Sequence, residues 1–174
     1  MKQPRIEKKP AFRVIGYKKT TSTVNKANLS DIPRFWAELS HAEQTTLSRF
    51  VDSEMTGMIG LSSNEKDGQF DYWLAIATTK SESENLSLLE VSEADYAVFQ
   101  VTGPLPQALE QAWCEIYQDW LPVSGFQLTP APQIEWTPAG NTQSADYECE
   151  IWLAIEASDA SHGAWQSIIK EYQN

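Results

Sequence analysis

Apolar and polar residues are interleaved over 12–20, where Phe12, Val14, Ile15 and Tyr17 are spaced by Arg13, Gly16 and Lys18, and this predicts a β-strand. A polar connection over 21–28 follows, and the spacing then changes. Ile32, Phe35, Trp36 and Leu39 recur at helical intervals, with Asp31 placed to cap and Pro33 in the first turn. The helix, or a pair of helices broken near Ser40, runs on through Leu47, Phe50 and Val51. Residues 57–62 read as a short strand flanked by glycine, 64–68 as a turn, and 70–79 as a strong strand. After a polar linker over 80–85 the succession returns. Strands are predicted over 86–91 and 96–101, and Gly103-Pro104-Leu105-Pro106 opens a helix. Its buried side carries Ala108, Leu109, Ala112, Trp113, Ile116, Trp120 and Leu121. Residues 122–125 end it, 126–128 and 133–137 are strand pieces, 138–145 form a loop, and 147–155 form a strand. Residues 1–11 read as a flexible leader, and 157–174 as a tail with a short helix through Trp165, Ile168 and Ile169.

The two halves resemble each other. Trp73-Leu74-Ala75-Ile76 recurs as Trp152-Leu153-Ala154-Ile155, and the same offset places Asp71 on Glu150. Phe35-Trp36-Ala37-Glu38-Leu39 resembles Ala112-Trp113-Cys114-Glu115-Ile116, and Ile59-Gly60-Leu61-Ser62 resembles Phe126-Gln127-Leu128-Thr129. Three matches in one order predict an α+β domain over 12–156, built from strand–helix–strand–strand repeats over about 12–79 and 86–156. Strand parity then sorts the side chains. Cys149, Ile151, Leu153 and Ile155 form an aliphatic face suited to a covering helix, as do Tyr72, Leu74 and Ile76. Glu150, Trp152 and Ala154, and likewise Asp71, Trp73 and Ala75, occupy the opposite face. If the halves pair about a pseudo-two-fold axis, these acid-plus-indole faces meet across one cleft.

Composition narrows the chemistry. The 174 residues suffice for one domain with a core, and 41% are hydrophobic, including seven Trp, six Tyr and six Phe. The net charge of −11, from 24 acidic and 13 basic residues, argues against a nucleic-acid partner. The one basic stretch, over 2–9, is short and interrupted by Glu7. No apolar run is long enough to span a membrane, and no secretion signal is read at the N-terminus. Cys114 and Cys149 form no CxxC pair and read as reduced core residues, so the expected compartment is the cytoplasm. His41 and His162 are isolated, and no HExxH, GxSxG, P-loop or metal-ligand spacing occurs. No metal or cofactor is therefore expected. The catalysis that can be drawn is a carboxylate general base, Glu150 or Glu135, activating water.

Four segments resemble a known family. Tyr96-Ala97-Val98-Phe99-Gln100-Val101-Thr102-Gly103-Pro104 resembles its strand-to-helix entry. The run from Trp113 through Ile116-Tyr117 and Trp120-Leu121-Pro122 to Ser124-Gly125 resembles its helix. Ile134-Glu135-Trp136 stands at its acidic strand motif, and Glu150-Ile151-Trp152-Leu153-Ala154-Ile155 resembles its closing strand. This is the GyrI-like domain, the effector-binding domain of AraC-type and MerR-type multidrug regulators. The resemblance implies a curved, duplicated antiparallel sheet with helices and a ligand cleft between the halves. It implies binding of lipophilic, often cationic, small molecules by a floor acid and aromatic walls. Carried onto this chain, the acids are Glu135 and Glu150, with Trp152 as a wall. Trp136 adjoins the acidic motif, and Trp73, Tyr72 and Asp71 complete the candidate set through the repeat and strand parity. Without a helix-turn-helix segment, the expected form is a stand-alone binder rather than a regulator. A hydrolase of strained cyclopropanoid toxins using a pocket Glu, and a protein-interaction module such as a gyrase modulator, are the alternatives the resemblance carries.

Overall fold

The structure, a computed structural model, describes residues 3–81 and 85–158. The alternating segments form strands β1 (Arg5–Lys9), β2 (Phe12–Ser22), β3 (Met58–Lys66), β4 (Gln69–Thr78), β5 (Ser87–Val91), β6 (Ala94–Thr102), β7 (Phe126–Leu128), β8 (Gln133–Thr137) and β9 (Glu148–Ala157). The helical periodicities form α1 (Asn28–Glu38), α2 (His41–Ser48) and α3 (Gln107–Glu115). No helix among the described residues is long and apolar enough to cross a membrane.

The strands lie in the order β1-β6-β9-β8-β3-β4-β2-β5, with β7 paired to β9. The duplication is visible in this order. The last long strand of each repeat, β4 or β9, lies between its partners, β3 and β2 or β8 and β6. The repeats join edge to edge through antiparallel β3 and β8. Their leading strands are exchanged, since β1 pairs with β6 of the second repeat and β5 with β2 of the first.

The expected parity of the long strands holds. On one face, Ile59, Leu61, Trp73, Ala75, Ile134, Trp152 and Ala154 pack in one cluster drawn from both repeats. Phe12 of β2 meets Trp152 of β9 edge to face at 6.2 Å between centroids, so the sheet curls until its inner face closes on itself. On the outer face, Phe99, Ile116, Ile151 and Leu153 pack beneath α3. Phe35 of α1 packs on Tyr72 and Leu74, and Leu47 of α2, with Phe50, packs on Ile15 and Ile76. Burial of each large apolar side chain stabilises the fold by about 1.5–3 kcal/mol.

Several boundaries differ from expectation. The segment read as a flexible leader contains β1, whose charged sequence hides it from hydrophobic patterning. It is held by main-chain pairing to β6 and by the Arg5–Glu150 ion pair, and its charges suit an edge strand. The first helical region, by contrast, is the expected pair, broken where Ser40 and Glu43 form a capping box for α2. Asp31 lies inside α1 rather than at its cap, and its carboxylate accepts from Thr21 Oγ1 at 2.8 Å. Helix α3 runs into a π-helical turn (Ile116–Trp120) and a 3-10 turn (Leu121–Val123). Cys149 is buried beneath α3, whereas Cys114 is exposed; both are free. The tail helix predicted over 162–172 lies outside the described residues.

The counterpart of β3 also differs. Leu61 pairs with Trp73 as Ile134 pairs with Trp152, so β8, not β7, occupies the place of β3 in the second repeat. Glu135 then stands where the first repeat has Ser62.

Candidate ligand-binding site

The predicted acids divide between the two faces. Glu150 is on the inner face, where its carboxylate accepts from Trp152 Nε1 at 2.6 Å and pairs with Arg5 Nη2 at 2.8 Å. Lys9 Nζ lies 4.4 Å from the Trp152 ring centroid. Trp136 packs edge-on against Trp152 and donates through Nε1 to the Thr56 carbonyl at 2.7 Å. Asp71 repeats the theme at the other end. It accepts from Thr20 at 2.8 Å and Asn64 at 3.1 Å and faces Lys18 at 3.4 Å. Bonds from Asn64 and Thr20, then Lys18, hold its carboxyl below the usual range. Trp73 donates to Ser63 Oγ at 3.0 Å, with Lys18 over its ring. The inner faces therefore meet in a dry core, with Trp73 3% and Trp152 5% exposed, and both acids already hold cations of the chain itself. Glu150→Gln should accordingly cost about 1 kcal/mol or less, as for other solvent-accessible ion pairs, readable in urea unfolding.

Glu135 and Tyr72 are on the outer, helix-bearing face, at the seam between the repeats. Register explains their meeting. Gly60 of β3 pairs with Glu135 on one side and Leu74 on the other, while Tyr72 pairs with Ser62 one step away. With no side chain at Gly60, Tyr72 extends diagonally across β3 and donates through Oη to Glu135 Oε2 at 2.9 Å. A Cβ at Gly60 would lie 2.4 Å from Tyr72 Oη and 2.8 Å from Glu135 Oε2. The helices add two indoles. Trp113 of α3 donates through Nε1 to Glu135 Oε1 at 2.6 Å, and Trp36 of α1 donates to Tyr72 Oη at 3.0 Å. These two tryptophans are the matched pair of the repeat, so each repeat sends one indole to the same carboxylate–phenol pair. Helical periodicity assigns both to core-facing stripes; their shared place in the repeat is the signal that could have singled them out.

The carboxyl of Glu135 is closely surrounded by protein, while the residue keeps partial solvent access. Burial pushes it above the usual carboxylate range, and the bonds from Trp113 and Tyr72 pull it back part of the way. Burial, reinforced by the Glu135 charge, pushes the Tyr72 phenol well up, so Tyr72 stays a donor. Among the described residues Glu135 has no ion-pair partner, in contrast to Glu150 and Asp71. The arrangement is an enclosed carboxylate anchored by two neutral donors, with the edges of an indole and a phenol turned to it. Two shallow surface hollows of about 350 and 370 Å³ lie elsewhere, one beside Asp71 at the β3–β4 turn and one between β2 and α1.

The family model of the GyrI-like small molecule binding domain matches residues 2–156. Among solved structures, the chain is similar to SAV2435 bound to tetraphenylphosphonium, with a TM-score of 0.80 and 22% identity over 89% of this chain and 94% of that one. It is similar to a putative bacterial transcription regulation protein from Staphylococcus aureus MU50, with a TM-score of 0.74 and 21% identity over 89% and 99% of the two chains. It is also similar to the EcmrR C-terminal domain, with a TM-score of 0.59 and 15% identity over 90% and 98%. At these identities the likeness is one of fold. No curated protein sequence matches the chain.

Proposed function

The chain belongs to the GyrI-like small molecule binding domain family, and we propose that it binds bulky organic cations at Glu135. The observation that carries this reading is an enclosed carboxylate with two neutral donors and no cation of its own among the described residues. Its enclosure weakens dielectric screening, so a cation gains more there than at an exposed acid. Trp36, Trp113 and Tyr72 supply aromatic surface near it, and each cation–π contact contributes about 0.5–2 kcal/mol. Tetraphenylphosphonium, to which SAV2435 is bound, has this chemistry and is the natural probe. Titrating it into the protein should quench tryptophan emission saturably. The affinity should fall as pH is lowered through the titration of Glu135, because protonation removes the charge that attracts the cation. Saturable binding that does not change with pH would count against Glu135 as the anchor.

The raised titration of Glu135 also suits a general base, which gives a second reading as a hydrolase. Each carboxylate oxygen already accepts a bond from an aromatic donor, an arrangement that favours a fixed anchor over a base exposed to water. Product release from a strained-ring ester or lactone, abolished in Glu135→Gln, would establish turnover. Stoichiometric uptake without product would reject it.

A further inference from the structure

Beside Glu135, on the α3 side, four side chains close a ring. Trp113 is bonded to Glu135. Tyr117, four residues along the helix, stacks on Trp113 with centroids 5.6 Å apart and planes 17° from parallel. Tyr117 Oη donates to Gln133 Oε1 at 2.9 Å. Gln133 and Glu135 are alternate residues of β8 and share its outer face, which completes the circuit. One face of the Trp113 indole is therefore covered by the protein's own ring rather than presented to a ligand. Tyr117 is 44% exposed although burial around its hydroxyl pushes the phenol up, and its restraints are the stack on Trp113 and the bond to Gln133. Tyr117 also belongs to the π-helical turn, and such turns recur at functional sites because they give up regular helix geometry.

We propose that Tyr117 and Gln133 are the specificity-determining pair of the Glu135 site, a latch that cations with aromatic arms must open. The inference rests on the cation-binding reading above and adds what selects among cations. A compact cation answers to the charge of Glu135. A cation with aromatic arms gains the Trp113 face only when Tyr117 swings aside, and the Gln133 bond opposes that movement.

The test uses the full chain as wild type, Tyr117→Phe and Gln133→Ala, titrated with tetraphenylphosphonium and with tetraethylammonium. The same three proteins are labelled with 5-fluorotryptophan, and the Trp113 signal is assigned by its loss in Trp113→Phe. Each latch variant should bind tetraphenylphosphonium about 2- to 10-fold more tightly, the net worth of one hydrogen bond. Affinity for tetraethylammonium should stay the same, and the Trp113 fluorine signal should shift and broaden without ligand. An unchanged preference between the two cations in both variants overturns the latch. If wild type binds neither cation, the cation reading fails by itself, and the fluorine signal then decides the latch: identical Trp113 lines in all three proteins overturn it.

Discussion

Replacing Glu135 by glutamine should weaken tetraphenylphosphonium binding about 30- to 150-fold while changing stability by about 1 kcal/mol or less. The loss follows from Coulomb energy at an effective dielectric near 20, which gives about 2–3 kcal/mol for a cation centre several ångströms from the carboxylate. The substituted side chain keeps the shape, since its amide oxygen can accept from Trp113, but its amide nitrogen then faces the Tyr72 oxygen and the Tyr72 hydroxyl loses its acceptor, at a cost of about 1–3 kcal/mol. The removal of the charge acts in the opposite direction. Burial raises the folded-state titration of Glu135, so the folded protein binds this proton more readily than the unfolded chain. Stability from this group is thus present at low pH and lost as pH rises through the window above the ordinary carboxylate value. At neutral pH the charge works against folding, and Glu135→Gln removes that cost. Isothermal titration would read the affinity and urea unfolding the stability. A variant that loses stability and affinity together would mean that Glu135 holds the site together rather than serving as its charge. The comparison with Glu150→Gln sharpens the test, because the latter should leave tetraphenylphosphonium affinity within about twofold, as expected for a change remote from the ligand.

The duplicated fold was legible because strands and helices announce themselves by period, and because Trp73-Leu74-Ala75-Ile76 and its copy mark the central strand of each repeat. Parity was legible for the same reason, and it separated the helix-facing set from the Trp set. Parity could not tell which face leaves its acid without a cation of the chain among the described residues. The acid-plus-tryptophan face draws attention by its composition, yet Arg5, Lys9 and Lys18 come from other strands to neutralise or cover it. Those partners depend on register and on the exchange of β1, and a short charged edge strand leaves no hydrophobic signature. Glu135 entered the candidate set through resemblance. Of its partners, Tyr72 was in that set through the repeat, but Trp36 and Trp113 follow helical stripes that look like core, and Tyr117 lies off the stripe with no signal of its own. The shift of the β3 counterpart from β7 to β8 hid the remaining clue, that Glu135 is the acid breaking the symmetry at the seam.

Gly60→Ala should be the other severe change at the site, although it adds a single methyl group. Gly60 has no positive φ requirement, so its role is space rather than backbone conformation. The new Cβ would fall within contact distance of both Tyr72 Oη and Glu135 Oε2, and the two must part or move together. Tyr72 has little room to yield, because it is 4% exposed, packs with Phe35, Phe70 and Leu74, and carries the Trp36 bond. Overpacking of this kind costs about 1–3 kcal/mol. The sheet itself should survive, because the β3 main-chain pairings to β4 and β8 do not involve the side chain. Glu135 would then lose the Tyr72 donor, its charged form would be less favoured, and its titration would rise further. The expected result is a folded protein with an unchanged far-ultraviolet spectrum, tetraphenylphosphonium affinity lower by about tenfold or more, as for loss of a bond to a charged group, and a pH midpoint for binding displaced upward. That displacement distinguishes a broken Tyr72–Glu135 pair from a merely narrowed cleft, since steric narrowing would lower affinity and leave the midpoint where it was. Tyr72→Phe in a Gly60 background should move the midpoint in the same direction without the steric cost, and a midpoint that stays fixed in both variants would remove the phenol from the account of how the carboxylate keeps its charge.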